Sequence, residues 1–180
     1  MELIQAKGDT WYLAAAELIP IYRLEGGRCI LLDRELRLRL GRGSRVTLGD
    51  RVESDGRVFI TTDGYGRLNI GSGVYFNDGA VISCLGKITI GENTLFGPGV
   101  KIFDNNHRFS REEGVVRECA AGCITVGRNC WIASDVVLLK GANIGDNCVI
   151  GAGCVIRGEV PAGSLVTRSG EQTTRPIETR

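Results

Sequence analysis

The chain has 180 residues, of which 43% are hydrophobic, and a formal net charge of +1. These values describe one globular domain with a sizeable core, and they exclude a strongly basic nucleic-acid-binding chain. The sequence shows neither a secretory signal nor an apolar run that could span a bilayer, so we expect a soluble cytoplasmic protein with reduced cysteines.

The N-terminal segment, residues 1–27, has no regular repeat. Residues 1–19 form a helix-compatible stretch, which Pro20 would end. From Arg28 the pattern changes to strand, and the arginines that follow either form a solvated face or recognise an anionic acceptor. We therefore divide the single domain into this segment, coils over 28–166 and a polar tail over 167–180.

Large apolar residues recur at six-residue spacing through most of the chain. The longest series is Val126, Ile132, Leu138, Ile144, Ile150 and Ile156, and shorter series are Ile70, Phe76, Ile82 and Ile88, then Ile90, Phe96 and Ile102. A period of six fits neither a helix nor an isolated strand, and it predicts a parallel β-helix with triangular coils of eighteen residues. Glycine follows many of these positions, and we expect it there because a corner needs unusual backbone angles.

The six-residue spacing is interrupted between Asp104 and Gly122. The pattern of residues 87–91 returns at 123–127, 36 residues later, which equals two coils. One coil's length must therefore project from the solenoid as a loop at about 104–122. This loop contains His107, the only histidine of the chain, and long loops on regular scaffolds often carry function.

The cysteines favour structural roles. Cys130, Cys148 and Cys154 fall at equivalent positions of their hexads, so we expect them to pack in the core as small apolar groups. Cys119 and Cys123 have a spacing that a metal pair can adopt, but two further ligands at similar spacing are not evident. We therefore expect no metal site.

Two stretches, Gly127–Ser134 and Ile144–Ile156, resemble signature sequences of the hexapeptide-repeat acyltransferases. They are most similar to the branch that acetylates maltose, galactosides and capsular polysaccharide, and the resemblance covers about residues 66–166. It implies an all-β fold, a left-handed parallel β-helix with a projecting loop and an irregular N-terminal segment. It also implies acetyl-CoA as co-substrate and a homotrimer with the active sites between subunits.

The resemblance assigns catalytic roles to three residues. His107 would be the general base, for which an imidazole suits neutral pH. Asn77 would orient the acceptor hydroxyl, although asparagine is also common at solenoid corners for its tolerance of left-handed backbone angles. The backbone N–H of Ser134 would stabilise charge on the thioester oxygen. Asp104 is a further candidate, as a partner that orients the imidazole.

Besides Ser134, four residues correspond to positions that bind acetyl-CoA in this family. Trp131 would form a wall of the pocket, or else pack between subunits of the trimer. Ala152 would contact the pantetheine arm. Arg157, in a place where the family often has lysine nearby, and Arg175 in the C-terminal strand would pair with the phosphates.

The implied function is acetyl-CoA-dependent O-acetylation of a saccharide hydroxyl in capsule or lipopolysaccharide synthesis. Residues 83–85 replace an aspartate that the sugar-specific members carry, which disfavours a simple galactoside or maltose acceptor. The alternatives are an N-acetyltransferase that acts on an amino-sugar and a non-catalytic β-helix scaffold. A carbonic anhydrase of this fold would need three histidines for zinc, and the chain has one.

Overall fold

The computed structural model describes residues 4–5, 10–13, 24–28, 30–33, 35–169 and 171–176, and it describes side chains only between 26 and 168. In chain order the strands are β1 (Ile4–Gln5), β2 (Thr10–Leu13), β3 (Leu24–Gly26), β4 (Ile30–Asp33), β5 (Arg37–Leu40), β6 (Arg45–Leu48), β7 (Glu53–Ser54), β8 (Val58–Thr62), β9 (Arg67–Ile70), β10 (Tyr75–Phe76), β11 (Ala80–Cys84), β12 (Lys87–Ile90), β13 (Leu95–Phe96), β14 (Lys101–Phe103), β15 (Asn105–Ser110), β16 (Gly114–Ala121), β17 (Cys123–Val126), β18 (Trp131–Ile132), β19 (Val137–Leu139), β20 (Asn143–Ile144), β21 (Val149–Ile150), β22 (Val155–Ile156), β23 (Glu159–Val160), β24 (Ser164–Ser169) and β25 (Glu171–Pro176). The described residues form no helix.

The strands form the three walls of a triangular solenoid. Sheet 1 has the order β1-β2-β4-β7-β10-β13-β18-β21-β24-β25, sheet 2 the order β5-β8-β11-β14-β19-β22, and sheet 3 the order β3-β6-β9-β12-β17-β20-β23. Within the coils neighbouring strands are parallel, as in the pairs Phe76↔Phe96 and Ile88↔Ile124. The predicted parallel β-helix is confirmed.

Each coil turns at three edges, named here by the sheets that they join. The 3–1 edge includes residues 49–52, 91–94, 127–130 and 145–148. The 1–2 edge includes 55–57, 77–79, 97–100, 133–136 and 151–154. The 2–3 edge includes 41–44, 63–66, 85–86, 104–122, 140–142 and 157–158. Residues at one edge stack along the solenoid axis at about 4.8 Å per coil.

The core consists of the predicted series of apolar residues. Val126, Ile132, Leu138, Ile144, Ile150 and Ile156 are all at most 1% exposed, and the upstream members are buried as well. Phe76 and Phe96 stack with their ring centroids 4.8 Å apart. Cys130, Cys148 and Cys154 are buried free thiols, which confirms their predicted place in the core.

The glycines after the core positions are needed for a different reason from the one that the sequence indicated. Gly127 does not have a left-handed backbone; instead, a Cβ there would lie 2.5 Å from the backbone nitrogen of Asp146 in the next coil. The left-handed conformation falls two residues later, at Asn129 with φ 55° and at Asn147 with φ 58°. Glycine therefore permits close stacking of the corners, while asparagine makes the turn.

The prediction that residues 1–19 are compatible with a helix is wrong where the structure describes them. Residues 4–5 form β1 and residues 10–13 form β2, which pair antiparallel with each other. β2 also pairs antiparallel with β4, so these residues extend sheet 1. Sheet pairing has therefore overridden helix propensity, which is a weak preference.

Candidate active site

The predicted loop is an ordered antiparallel hairpin that projects from the 2–3 edge. It consists of β15 and β16, paired from Asn105↔Ala121 to Ser110↔Gly114 with an irregularity between His107 and Phe109. Its ends meet at the solenoid wall, because Lys87 pairs with Cys123 as in any two adjacent coils. The 36-residue interval thus contains one coil and one hairpin, as the sequence predicted.

A buried carboxylate fixes the base of the hairpin. Asp104 is fully buried, and its two oxygens accept hydrogen bonds of 2.8 Å from the backbone N–H groups of Leu85 and Gly86. The Asn105 side chain donates to the Ser83 hydroxyl at 3.1 Å. Asp104 is therefore committed to the turn below the hairpin, and its predicted role as the partner of the imidazole is wrong.

The exposed imidazole of His107 has its described contacts inside the hairpin. Its Nδ1 lies 3.2 Å from the carbonyl oxygen of Val116 and 3.6 Å from the Sγ atom of Cys119. A carbonyl can only accept, so the bond to Val116 requires the proton on Nδ1. In that tautomer Nε2 carries the lone pair and is the nitrogen that can take a proton.

Three of the predicted site residues lie at a different edge. Asn77, Ser134 and Ala152 all stand at the 1–2 edge, where the register Phe76↔Phe96↔Ile132↔Ile150 places Ser134 and Ala152 at equivalent positions of adjacent coils. The Oδ1 atom of Asn77 accepts the N–H of Asp78 at 2.8 Å, which fixes the side-chain amide. The amide nitrogen of Asn77 remains as the group that can donate to a ligand. The backbone N–H of Ser134 has no acceptor among the described residues.

The part of the 1–2 edge around Gly97, Ser134 and Ala152 carries small side chains, and we call it the shelf. Gly97 lies between the coils of Asn77 and Ser134, and a Cβ on it would lie 2.8 Å from the nitrogen of Ser134. Small residues here leave the backbone of Ser134 and Ala152 open to an approaching ligand. Trp131, 54% exposed on the outer face of sheet 1, stands beside the shelf next to Leu95.

The two predicted phosphate-binding arginines are not at the same place. Arg157 is exposed at the 2–3 edge, on the same edge as the His107 hairpin and two coils further along the axis. Arg175 lies in β25, where its backbone pairs with that of Leu165 in β24. The side chain of Arg175 is outside the described part of the structure. The structure thus places Arg157 with His107 and not with Ala152.

Sheet 2 separates the two parts of the site within one chain. A strand of this sheet such as β11 has five residues, which at ~3.3 Å per residue keeps the two edges about 15 Å apart. A general base must come within about 3 Å of the proton that it removes. His107 and Asn77 of one chain therefore lie on opposite sides of sheet 2, outside hydrogen-bonding reach of a shared reacting atom.

Ionisable groups near the shelf are arranged in fixed pairs. The Arg57 guanidinium donates to Asp78 at 3.0 Å and lowers the pKa of that carboxyl to about 2. A hydrogen bond to Asp55 raises the pKa of Tyr75 to about 12. On the other side of sheet 2, at the 2–3 edge, burial, reinforced by the Asp104 carboxylate, raises the pKa of the Cys84 thiol to about 12, which makes Cys84 a poor nucleophile.

The described residues contain no group of three or more His, Cys, Asp or Glu side chains that could hold a metal ion. They also form no helix long and apolar enough to cross a membrane.

Comparison with known proteins identifies the repeat and the fold. Residues 123–158 match the family described as bacterial transferase hexapeptide (six repeats). The chain is 34% identical to the galactoside O-acetyltransferase of Escherichia coli over 117 residues, which are 64% of this chain and 56% of that protein. It spans between 44% and 66% of the length of the first four curated relatives that it matches.

Two solved structures share the fold at low sequence identity. The polysialic acid O-acetyltransferase OatWY superposes with a TM-score of 0.69 at 20% identity, covering 87% of this chain and 76% of that one. The N-acyltransferase AntD from Bacillus cereus, solved with coenzyme A, gives a TM-score of 0.63 at 10% identity, covering 86% and 83%. These two structures show the fold of the chain, while the matched repeats and the curated relative show that part of the chain is similar to bacterial hexapeptide-repeat transferases.

Proposed function

We propose that this protein transfers the acetyl group of acetyl-CoA to a hydroxyl group of a saccharide, with His107 as the general base. The observation that carries the proposal is the hydrogen bond between His107 Nδ1 and the Val116 carbonyl. It leaves the lone pair on Nε2 of an exposed side chain, near the base of the projecting hairpin. An alcohol is a weak nucleophile at neutral pH and needs such a base as it attacks a thioester.

In the proposed reaction, Nε2 takes the hydroxyl proton while the acceptor oxygen forms a bond to the thioester carbon. Collapse of the tetrahedral intermediate breaks the carbon–sulfur bond, and the CoA thiolate receives the proton from the imidazolium. The backbone N–H of Ser134 stabilises the negative oxygen of the intermediate. This N–H can donate to a ligand because it has no acceptor among the described residues. The amide nitrogen of Asn77 orients the acceptor.

Acetyl-CoA fits the shelf of the 1–2 edge in this proposal. The pantetheine arm passes over Ala152, where a small side chain permits contact with the backbone, and Trp131 closes one side of the pocket. Arg157 and Arg175 would pair with the phosphates, since a guanidinium binds phosphate oxygens in pairs.

The active site is complete only in an assembly, and we propose a homotrimer. The 2–3 edge of one subunit would face the 1–2 edge of the next, which is a heterologous contact that closes after a threefold rotation. His107 and Arg157 of one subunit would then meet Asn77, Ser134 and Ala152 of its neighbour. This arrangement accounts for the separation of the two parts of the site by sheet 2.

The acceptor in this proposal belongs to a capsular or lipopolysaccharide precursor, and the reaction takes place in the cytoplasm. The galactoside O-acetyltransferase of Escherichia coli and the polysialic acid enzyme are saccharide O-acetyltransferases by name, which supports the acceptor class. An N-acetyltransferase acting on an amino-sugar is the second candidate, because AntD shares the fold.

Calorimetry with acetyl-CoA tests the proposal first. We expect saturable binding, followed by CoA release that depends on a saccharide acceptor. An alkali-labile product identifies an ester, whereas an alkali-stable product identifies an amide and the N-acetyltransferase alternative. Absence of binding at millimolar acetyl-CoA would support the scaffold alternative and overturn the proposal.

We expect that the Cys119 thiol takes no part in the reaction but lies close enough to His107 for a modification of it to block activity. The Cys119→Ala variant should keep kcat within about threefold, because His107 retains the Val116 carbonyl. N-ethylmaleimide should inactivate the wild type, since an adduct on this Sγ would crowd the imidazole 3.6 Å away. The Cys119→Ala variant should resist the reagent, and the matched Cys123→Ala variant should remain sensitive; equal sensitivity of all three proteins would contradict this.

A further inference from the structure

An exposed tyrosine is held in a fixed position on the 2–3 edge. Tyr65 is 81% exposed, in the turn between β8 and β9. A Cβ on Gly43, in the turn of the preceding coil, would lie 3.5 Å from two carbon atoms of the Tyr65 ring, so the ring packs against that turn. Arg67 Nη1 donates to the carbonyl oxygens of Gly43 and Tyr65, both at 2.9 Å, and ties the two turns together.

Tyr65 and His107 lie on the same edge. The turn of Tyr65 is followed along the axis by the turn 85–86 and then by the hairpin, because β8, β11 and β14 are neighbours in sheet 2. Two strand spacings separate the tyrosine turn from the base of the hairpin, about 10 Å. Between them lie only Leu85, which is half-buried, and Gly86. An extended ligand could therefore run from the tyrosine to the hairpin across this short turn.

The charges along this stretch are mainly positive. Arg42, Arg67 and Lys87 are exposed here, and none of them forms an ion pair with a described residue. Arg67 directs its described hydrogen bonds to backbone carbonyls, so its charge is not neutralised by a carboxylate. The one carboxylate of these turns, Asp63, accepts the N–H of Gly64 at 2.8 Å.

We infer that this stretch of the 2–3 edge binds an anionic polysaccharide and leads it to His107. Tyr65 offers an aromatic face on which a sugar ring packs, while Arg42, Arg67 and Lys87 attract carboxylate groups along the chain. The inference rests on the proposed function, and it specifies the acceptor as a charged polymer, not a single sugar. The site selects for polymer length because Tyr65 is too far from His107 to touch the sugar that reacts.

The test compares Tyr65→Ala with the matched variant Tyr65→Phe, which keeps the ring. Binding of polygalacturonate, a carboxylated polymer, and of dextran, a neutral one, is measured by affinity electrophoresis without acetyl-CoA. Tyr65→Ala should weaken binding of polygalacturonate about fivefold, and Tyr65→Phe should bind it as the wild type does. Arg42→Gln should weaken it as well, and added salt should weaken it in all proteins.

Three results would overturn the inference. They are unchanged polygalacturonate binding by Tyr65→Ala, equal binding of dextran by the wild type, and a lower assembly mass of Tyr65→Ala, which would make the ring a subunit contact. Failure of the proposed function gives a different pattern. Polygalacturonate binding that depends on Tyr65, together with no acetyl-CoA binding, would refute acetyl transfer and leave this site in place.

Discussion

Replacement of His107 by alanine should lower kcat for acetyl transfer by about 100-fold or more, with little change in acetyl-CoA affinity. The hydrogen bond to the Val116 carbonyl orients the imidazole on the hairpin and leaves the lone pair on Nε2. Without the imidazole, the attacking hydroxyl has no base within reach. Steady-state kinetics and calorimetry on the same preparations separate the loss of turnover from a loss of binding.

His107→Gln is the matched variant, because its side-chain amide can still donate to the Val116 carbonyl but cannot act as a base. It should be as inactive as His107→Ala while keeping the hairpin in place. Turnover near the wild-type value in either variant would remove the assignment. A parallel loss of acetyl-CoA affinity would instead indicate that His107 supports the hairpin.

Two inactive variants should restore activity when they assemble together. His107→Ala and Asn77→Ala chains, co-expressed with different tags and purified through both, should recover about one third of the wild-type activity. In a trimer that contains both variants, only one of the three junctions joins an intact His107 to an intact Asn77. The physical reason is the width of sheet 2, which keeps the two side chains of one chain apart.

The control is each variant purified alone and assayed at the same total concentration. If the site lay within one chain, the mixed assembly would show no more than the average of the two separate variants. A mixed activity clearly above that average therefore requires a site shared between subunits. Sedimentation of the mixed protein confirms that the assembly itself is intact.

The sequence predicted the solenoid because its determinants are periodic. Ile132 and Ile150 are eighteen residues apart, and each is buried in the same sheet, so spacing alone fixes the wall to which they belong. The reason for the glycines was not accessible in this way. The clash that Gly127 avoids is with the backbone of the next coil, and spacing does not report how closely two corners approach.

The candidate site was predicted in part. Asn77, Ser134 and Ala152 do share an edge, and counting residues from the buried positions also places His107 at another edge. Its neighbours Val116 and Cys119 could not be found by spacing, because the pairing inside the hairpin is irregular between His107 and Phe109. Asp104 was misassigned because its partners, Leu85 and Gly86, belong to the preceding coil.

The hairpin and the solenoid are separate modules with a simple junction. The two ends of the hairpin, Asn105 and Ala121, face each other. The coil that carries the hairpin pairs with both neighbouring coils in ordinary register. A chain that passed from Asp104 directly to Gly122 would keep every rung of the core. In this architecture, exchange of the hairpin alone can therefore change the reaction. The repeats that determine the fold would not be affected by such an exchange.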